Sequence, residues 1–191
     1  MQVVLFMKLL CTLIFSLSVI CASVTQAAVV GVEMRDPYYF TPTNVVINPG
    51  DRVVWTNIGI RVHDTRHMTN PALWASPNVG FNPPTNTFGF TFTNVGYYPY
   101  RCQQHTLQGP NQTGTVSVVN ISLANALRTP TNAQFEIRGG RSGLRAVVEA
   151  GNTLSNATPL RTNTFPASGT INFADTNPPP TFRFYRARVI P

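Results

Sequence analysis

The sequence predicts an all-β protein built from two β-sandwich domains, and three observations carry that prediction. Short runs rich in Val, Ile, Thr, Phe and Tyr recur along the chain, separated by turn-forming residues such as those at 48–51 and 94–96. Phe88, Phe90 and Phe92 alternate with small or polar residues, which is the period of a strand with one buried face. Neither half shows a helix of convincing length, and only 11% of the residues are charged. This composition suits a β protein with long turns better than a helical enzyme.

Residues 1–27 have the layout of a secretory signal peptide. Lys8 precedes an apolar run, and small residues lead to a small-x-small cleavage site before Ala28. The apolar run is too short for a comfortable membrane span, and an uncleaved anchor is the alternative. A lipid-anchored Cys21 is a further alternative, although it lacks the small residue usually found just before such a cysteine. We therefore expect an exported protein, periplasmic or extracellular, with no stable membrane insertion after cleavage.

Cleavage changes both the charge and the cysteine content. The 191-residue chain carries a formal charge of +7, and the expected mature chain keeps 13 arginines and seven acids, a charge of +6. The arginines are scattered except near the C-terminus, without a basic run that interleaves aromatic residues, so no nucleic-acid partner is predicted. Cys11 and Cys21 leave with the signal peptide. Cys102 then remains alone, and a lone thiol in an exported protein has no partner for an internal disulfide.

Residues 28–120 and 133–191 are the two predicted domains. In the first, β-type runs lie at 29–34, 44–47, 52–56, 87–93, 97–102 and 113–119. In the second, they lie at 133–138, 144–150, 159–163, 170–173 and 181–189. Residues 121–132 break this rhythm and are predicted to form a linker or a short helical turn. Both domains are predicted β-sandwiches, the second being smaller.

The candidate chemistry centres on Cys102. His105 follows it by three residues, and His63 lies about forty residues upstream. One thiolate and two imidazoles are the ligand set of a mononuclear copper electron-transfer site. The competing interpretations are a buried apolar thiol and a solvent-exposed loop histidine. His67, four residues after His63, is a rival for the upstream position.

Several stretches carry a resemblance to a known family: FTP at 40–42, VINPGDRVVWTN at 46–57, HDT at 63–65, TFGFTFT at 87–93, GYYPYRCQQH at 96–105 and GTVSV at 114–118. Through them, residues 31–120 resemble a plastocyanin-like cupredoxin, a Greek-key β-sandwich that holds one type 1 copper ion. The resemblance implies His63, Cys102 and His105 as ligands. It favours His63 over His67, which is then expected at the surface or as a modulator near the site. It also makes Asn57 and Asp64 candidates for supporting hydrogen bonds.

The sequence departs from this family at the axial ligand. The usual axial methionine lies two residues before the glycine that opens the final strand. Here that glycine is Gly114, and the residue two before it is Gln112. The loop is also two residues longer than the plastocyanin pattern, with the insertion at 109–111. We expect Gln112 to be a weak axial oxygen donor and to give a lower reduction potential than methionine would. The alternatives are an empty axial position and a backbone carbonyl.

The second half resembles a C-terminal β-sandwich module of exported bacterial proteins. The resemblance rests on the aromatic-Tyr-Arg-x-Arg ending at 184–188 and on the runs at 146–150 and 170–175. It implies no catalytic residues. We expect a structural or spacer domain, and docking of an acidic partner by its arginines is the alternative.

These patterns predict an exported monomer that binds one copper ion and transfers one electron between redox partner proteins. The chain has no phosphate-binding glycine loop, no Gly-x-Ser-x-Gly motif and no Cys-x-x-Cys pair. Three histidines are too few for the trinuclear cluster of a multicopper oxidase. The protein is therefore not predicted to be an enzyme. Copper storage or delivery, and a structural surface role for a degenerate cupredoxin fold, are the alternative functions.

Overall fold

The regular structure of the computed structural model consists of β-strands. It describes residues 3–8, 27–69, 71–105, 112–129, 131–153, 155–178 and 182–191, and these contain no helix, hence none suited to crossing a membrane. The strands are β1 (Val3–Lys8), β2 (Val29–Arg35), β3 (Tyr39–Thr41), β4 (Asn44–Ile47), β5 (Arg52–Asn57), β6 (Arg66–His67), β7 (Thr87–Thr91), β8 (Gly96–Arg101), β9 (Thr113–Val118), β10 (Ser122–Thr129), β11 (Asn132–Arg138), β12 (Arg145–Gly151), β13 (Thr158–Thr164), β14 (Thr170–Asp175) and β15 (Phe182–Ile190).

The chain divides into two compact units. One comprises residues 27–119, and the other combines residues 120–191 with β1. Strand β1 pairs antiparallel with β15, Val3 lying opposite Ala187. The rest of the expected signal segment up to residue 26, including Cys11 and Cys21, lies outside the described residues. Cleavage before Ala28 stays a prediction.

Two four-stranded sheets form the unit of residues 27–119. Their orders are β3-β2-β5-β7 and β4-β9-β8-β6, with β2–β5 and β4–β9 parallel and the other neighbours antiparallel. The sheets face each other, because the Tyr100 ring of β8 lies 4.8 Å from that of Phe40 in β3 and 5.3 Å from that of Trp55 in β5. The core is a continuous cluster of buried apolar residues from both sheets. Every strand predicted in this region is present, and the predicted all-β sandwich is confirmed.

A tight turn fixes the start of the central strand β5. Gly50 has φ of +95°, a left-handed conformation that favours glycine. The Asp51 carboxylate accepts hydrogen bonds from the backbone N–H groups of Asn48 and Ala28, both at 2.7 Å. From that point Val53, Trp55 and Asn57 face inward while their neighbours are more exposed. The far end of β5 therefore delivers the loop that carries His63.

The C-terminal unit also has two facing sheets, with orders β1-β15-β12-β13 and β10-β11-β14. The rings of Phe135 in β11 and Tyr185 in β15 lie 5.4 Å apart across the interior. The linker expected over 121–132 is wrong in part, since β10 occupies 122–129 and pairs with β11. Its register shifts between Ala124 and Leu127, and Asn125 has φ of +51°. That bulge interrupts the alternation from which a strand is predicted.

Candidate metal centre

Cys102 follows the last residue of β8 and is completely buried, with a free thiol. Its backbone N–H donates to the Gln112 carbonyl at 2.9 Å, which closes the loop between β8 and β9. Its Sγ accepts a hydrogen bond from the backbone N–H of Asp64 at 3.4 Å. Burial raises the pKa of the Cys102 thiol to about 11. The sulfur therefore stays protonated near neutral pH unless a cation binds to it.

Two imidazole nitrogens converge on this sulfur. The Nδ1 atom of His105 lies 3.3 Å from Cys102 Sγ, and the Nδ1 atom of His63 lies 4.0 Å from it. The three residues form the one such cluster among the described residues, with ligand atoms within 4.8 Å of one another. Donor atoms that each bind one metal ion at about 2 Å lie about 3–4 Å apart. Burial lowers the pKa of His105, so its ring is neutral and offers a lone pair.

Asn57 positions the loop that carries His63. Its Nδ2 donates to the carbonyls of Arg61 at 2.6 Å and Val79 at 3.0 Å, and its Oδ1 accepts from the Gly59 N–H at 3.0 Å. His63 then exchanges backbone hydrogen bonds with Val79, at 3.2 and 2.7 Å. These bonds hold the fully buried His63 ring in place. Asn57 thus acts through the loop backbone.

Asp64 ties the His63 loop to the Cys102 loop. Besides its backbone bond to the sulfur, its carboxylate accepts a hydrogen bond from the Gln103 N–H. These two hydrogen bonds fix the loops to each other beside the thiol. Asp64 was a candidate for a supporting hydrogen bond, and the bond to the sulfur comes from its backbone N–H.

Gln112 joins the cluster with its side-chain oxygen directed inward. Its Nε2 donates to the Tyr39 carbonyl at 3.1 Å, which leaves Oε1 facing His63 Nδ1 at 2.9 Å. The side chain is almost completely buried. The structure thus brings all four predicted site residues together: His63, Cys102, His105 and Gln112. The inserted residues 109–111 lie outside the described residues.

The structure adds one contact that the sequence did not indicate. The Asp36 carboxylate lies 3.4 Å from His63 Nε2 and accepts the Ile60 N–H at 2.7 Å. That backbone hydrogen bond is the main cause that lowers the pKa of Asp36, and the contact with His63 adds to it. Asp36 is 27 residues upstream of His63 in no recognisable motif, so only the fold reveals this partner.

The expectation of a surface position for His67 is wrong. The ring is 7% exposed and stacks on Trp74, with centroids 4.9 Å apart and planes 13° apart. In β6, His67 is the Cα partner of Tyr100, a core residue of β8. His67 is therefore inside the sandwich and outside the His63–Cys102–His105 cluster.

The donor set has a clear chemical character. A thiol sulfur and two imidazole nitrogens face a common point, and no acidic residue belongs to this cluster. Converging lone pairs repel each other unless a proton or a cation lies between them. A soft sulfur with two imidazole nitrogens suits copper, and it accommodates both of its oxidation states.

No family model matches the chain. Among solved structures, it is similar to a novel purple cupredoxin from Nitrosopumilus maritimus, with 22% identity over 47% of this chain and 98% of that one (TM-score 0.40). It is also similar to a mutant plastocyanin of fern, with 16% identity over 46% of this chain and 98% of that one (TM-score 0.39). A mutant amicyanin in the Cu(I) form is 22% identical over 47% of this chain and 81% of that one (TM-score 0.40).

Proposed function

We propose that this chain is an exported copper protein that carries one electron between redox partners. The observation that carries the proposal is the buried free thiol of Cys102 with the Nδ1 atoms of His63 and His105 facing it. The distances and the donor types fit a copper ion. Bound copper supplies a one-electron couple between Cu(I) and Cu(II). One ion per chain is proposed, held as a type 1 site.

The chain's own residues would hold the ion and keep water away from it. Cys102 and His63 are completely buried, and His105 is 7% exposed. Gln112 would offer Oε1 as a weak axial donor, since its Nε2 is committed to the Tyr39 carbonyl. The loops that carry these residues are cross-linked by backbone hydrogen bonds, so the donors move little between oxidation states. Small movement favours rapid electron transfer.

A carrier role is proposed in preference to an enzymatic one. The cluster uses two of the three histidines in the chain, and the third stacks on Trp74 inside the core. The chain therefore lacks the histidines for a second copper cluster, at which a substrate would react. Export and a monomeric carrier that meets partner proteins are part of the same proposal and rest on the N-terminal sequence pattern.

The test is a titration of the purified protein with Cu(II), followed by visible absorption and electron paramagnetic resonance. We expect an intense thiolate-to-copper band and one equivalent of copper at saturation. Replacing Cys102 by serine removes that band, and His67→Gln, a histidine variant outside the cluster, retains it. A colourless protein with an ordinary Cu(II) resonance would contradict the proposal and leave a structural β-sandwich.

A further inference from the structure

A short segment after β2 contacts three of the four proposed copper ligands. It comprises residues 36–39, which are the turn that follows β2 and the first residue of β3. Its contacts are the Tyr38 ring with the His105 ring at 4.5 Å, the Tyr39 carbonyl with the Gln112 amide at 3.1 Å, and the Asp36 carboxylate with the His63 ring at 3.4 Å. Of these, the Asp36 contact brings a negative charge to a ligand ring.

The loop that carries His63 accommodates the Asp36 carboxylate. Asp36 Oδ2 accepts the backbone N–H of Ile60 at 2.7 Å, while Oδ1 lies 3.4 Å from His63 Nε2. A methyl group on the Cα of Gly59 would lie 2.8 Å from Asp36 Cγ and Oδ2, closer than such atoms approach. The loop therefore offers the carboxylate a backbone N–H and, at Gly59, the space of an absent side chain.

An ion pair with Arg61 does not account for this position. Arg61 Nε lies 3.8 Å from Asp36 Oδ1, which is longer than a hydrogen bond, and the Arg61 side chain is half exposed. Exposed ion pairs contribute little to stability, because water screens them. The pair gives no reason for the same oxygen to face the fully buried imidazole of His63.

The His63 ring needs a hydrogen-bond acceptor when a metal ion is bound. If Nδ1 gives its lone pair to the ion, the neutral ring carries its proton on Nε2. The His63 side chain has no exposed surface, so water does not reach that N–H. A buried donor without an acceptor costs free energy, and Asp36 Oδ1 is the acceptor that the fold places beside it.

We propose that Asp36 is a positioning residue of the metal centre, which fixes His63 with Nδ1 directed at the metal and lowers the reduction potential of bound copper. This role rests on the proposed function and extends it to a residue that does not touch the metal. A carboxylate that accepts the ring proton of a histidine ligand makes the other nitrogen a stronger donor. Its negative charge also favours Cu(II) over Cu(I), because the oxidised ion carries the larger positive charge.

The first test uses Zn(II), which binds sulfur and nitrogen ligands without changing its oxidation state. Asp36→Asn should raise the Kd for Zn(II) about tenfold or more, measured at fixed pH by competition with a chelator. An asparagine amide has one acceptor oxygen, so it cannot accept from both Ile60 and His63. Nitrogen nuclear magnetic resonance of the zinc-loaded, unmodified chain should place the ring proton of His63 on Nε2. In the copper-loaded protein, Asp36→Asn should shift the reduction potential to a more positive value.

Two further variants separate position from charge. Gly59→Ala keeps every charge, but its methyl group displaces the Asp36 carboxylate, so the Kd for Zn(II) should rise here too. Glu33→Gln is the matched control, because it makes the same charge change as Asp36→Asn at an exposed acid paired with Arg35. Its Kd should equal that of the unmodified chain, and circular dichroism should show that all three variants fold.

An unchanged Kd in Asp36→Asn, an equal rise in Glu33→Gln, or a ring proton on Nδ1 of His63 in the zinc-loaded chain would overturn the proposal. The expected order of zinc affinities without a thiolate-to-copper band would retain Asp36 as a positioning residue and contradict electron carriage. No binding of Zn(II) by the unmodified chain would overturn both.

Discussion

The two units of this protein differ in what their buried polar side chains contact. In the C-terminal unit, Glu149 accepts hydrogen bonds from Arg186 and Arg188, the latter at 2.9 Å. Asp175 likewise accepts from the Tyr185 hydroxyl at 2.7 Å and from an arginine. Each buried acid there has its counter-charge within the unit.

The unit of residues 27–119 instead gathers buried ligand atoms around one point. Cys102, His63 and His105 present a sulfur and two nitrogens to one point, and the Gln112 oxygen faces the same place. Complete ion pairs stabilise the fold, whereas sulfur and nitrogen atoms that converge on one point form a set of ligands for a cation. The comparison teaches that a metal site is recognised by ligand atoms that converge on one point and not by burial of polar groups as such.

The largest effect on stability is expected where a complete pair is broken. Glu149→Gln leaves Arg186 and Arg188 facing an uncharged amide and should lower the free energy of unfolding by about 2 kcal/mol. The loss is smaller than for a fully buried pair because the Arg188 side chain is 41% exposed. Urea unfolding followed by circular dichroism measures it.

The matched control for that variant is Glu136→Gln in the same unit. Glu136 pairs with Arg138, whose side chain is half exposed, so solvent screens the pair. No measurable loss of stability is expected there. Equal losses of unfolding free energy in the two variants would show that burial does not strengthen the contribution of the Glu149 ion pairs.

Acid should destabilise the C-terminal unit over a pH range that follows from the pKa of Glu149. Burial alone raises the pKa of Glu149, but the hydrogen bonds from Arg188 and Arg186 outweigh it, and the net pKa lies below the ordinary 4.5. A carboxylate with a lowered folded-state pKa contributes stability above its unfolded-state pKa and loses it as pH falls through the folded-state value. The free energy of unfolding should therefore fall below about pH 4.5. The Glu149→Gln variant should show a shallower fall, and parallel pH profiles would contradict this.

Removing one ligand of the metal cluster should cost less stability when no metal is present. Cys102→Ala removes one sulfur from the core and should lower the stability of the metal-free protein by about 1 kcal/mol. Tryptophan fluorescence reports this unit, because Trp55 and Trp74 both lie in it. Added copper should raise the midpoint of thermal unfolding in the unmodified protein but not in the variant. A rise of equal size in both would place the copper elsewhere.

The smallest structural change tests the axial position. Gln112→Met replaces a weak oxygen donor with a thioether of similar volume and should raise the reduction potential of the bound copper. Gln104→Met is the control, because Gln104 is exposed and its amide bonds to Asn78. An unchanged potential in Gln112→Met would show that Oε1 does not contact the metal.

Much of the site could be predicted from the sequence, because short spacings along the chain mark its residues. The Cys102 to His105 spacing and the offset of Gln112 from Gly114 are visible in the chain, and the structure brings these residues together. Asp36 could not be found in this way, since its contact with His63 depends on how the turn after β2 packs against the His63 loop.

Three of the strands that escaped prediction, β3, β6 and β10, show no continuous alternation in their sequences. Strands β3 and β6 have three and two residues, too few for a period to show. Strand β10 is interrupted by the bulge at Asn125 and buries little of either face, so its sequence lacks clean alternation. The burial of His67 was also hidden, because stacking on Trp74 is a tertiary contact between residues with no sequence pattern in common.

The most direct test of the central proposal is voltammetry of the copper-loaded protein. Electron carriage by a closed site predicts a reversible one-electron wave over repeated cycles, with one copper per chain still bound after full reduction. An irreversible wave with release of Cu(I) would contradict electron carriage and assign the site to copper storage or delivery.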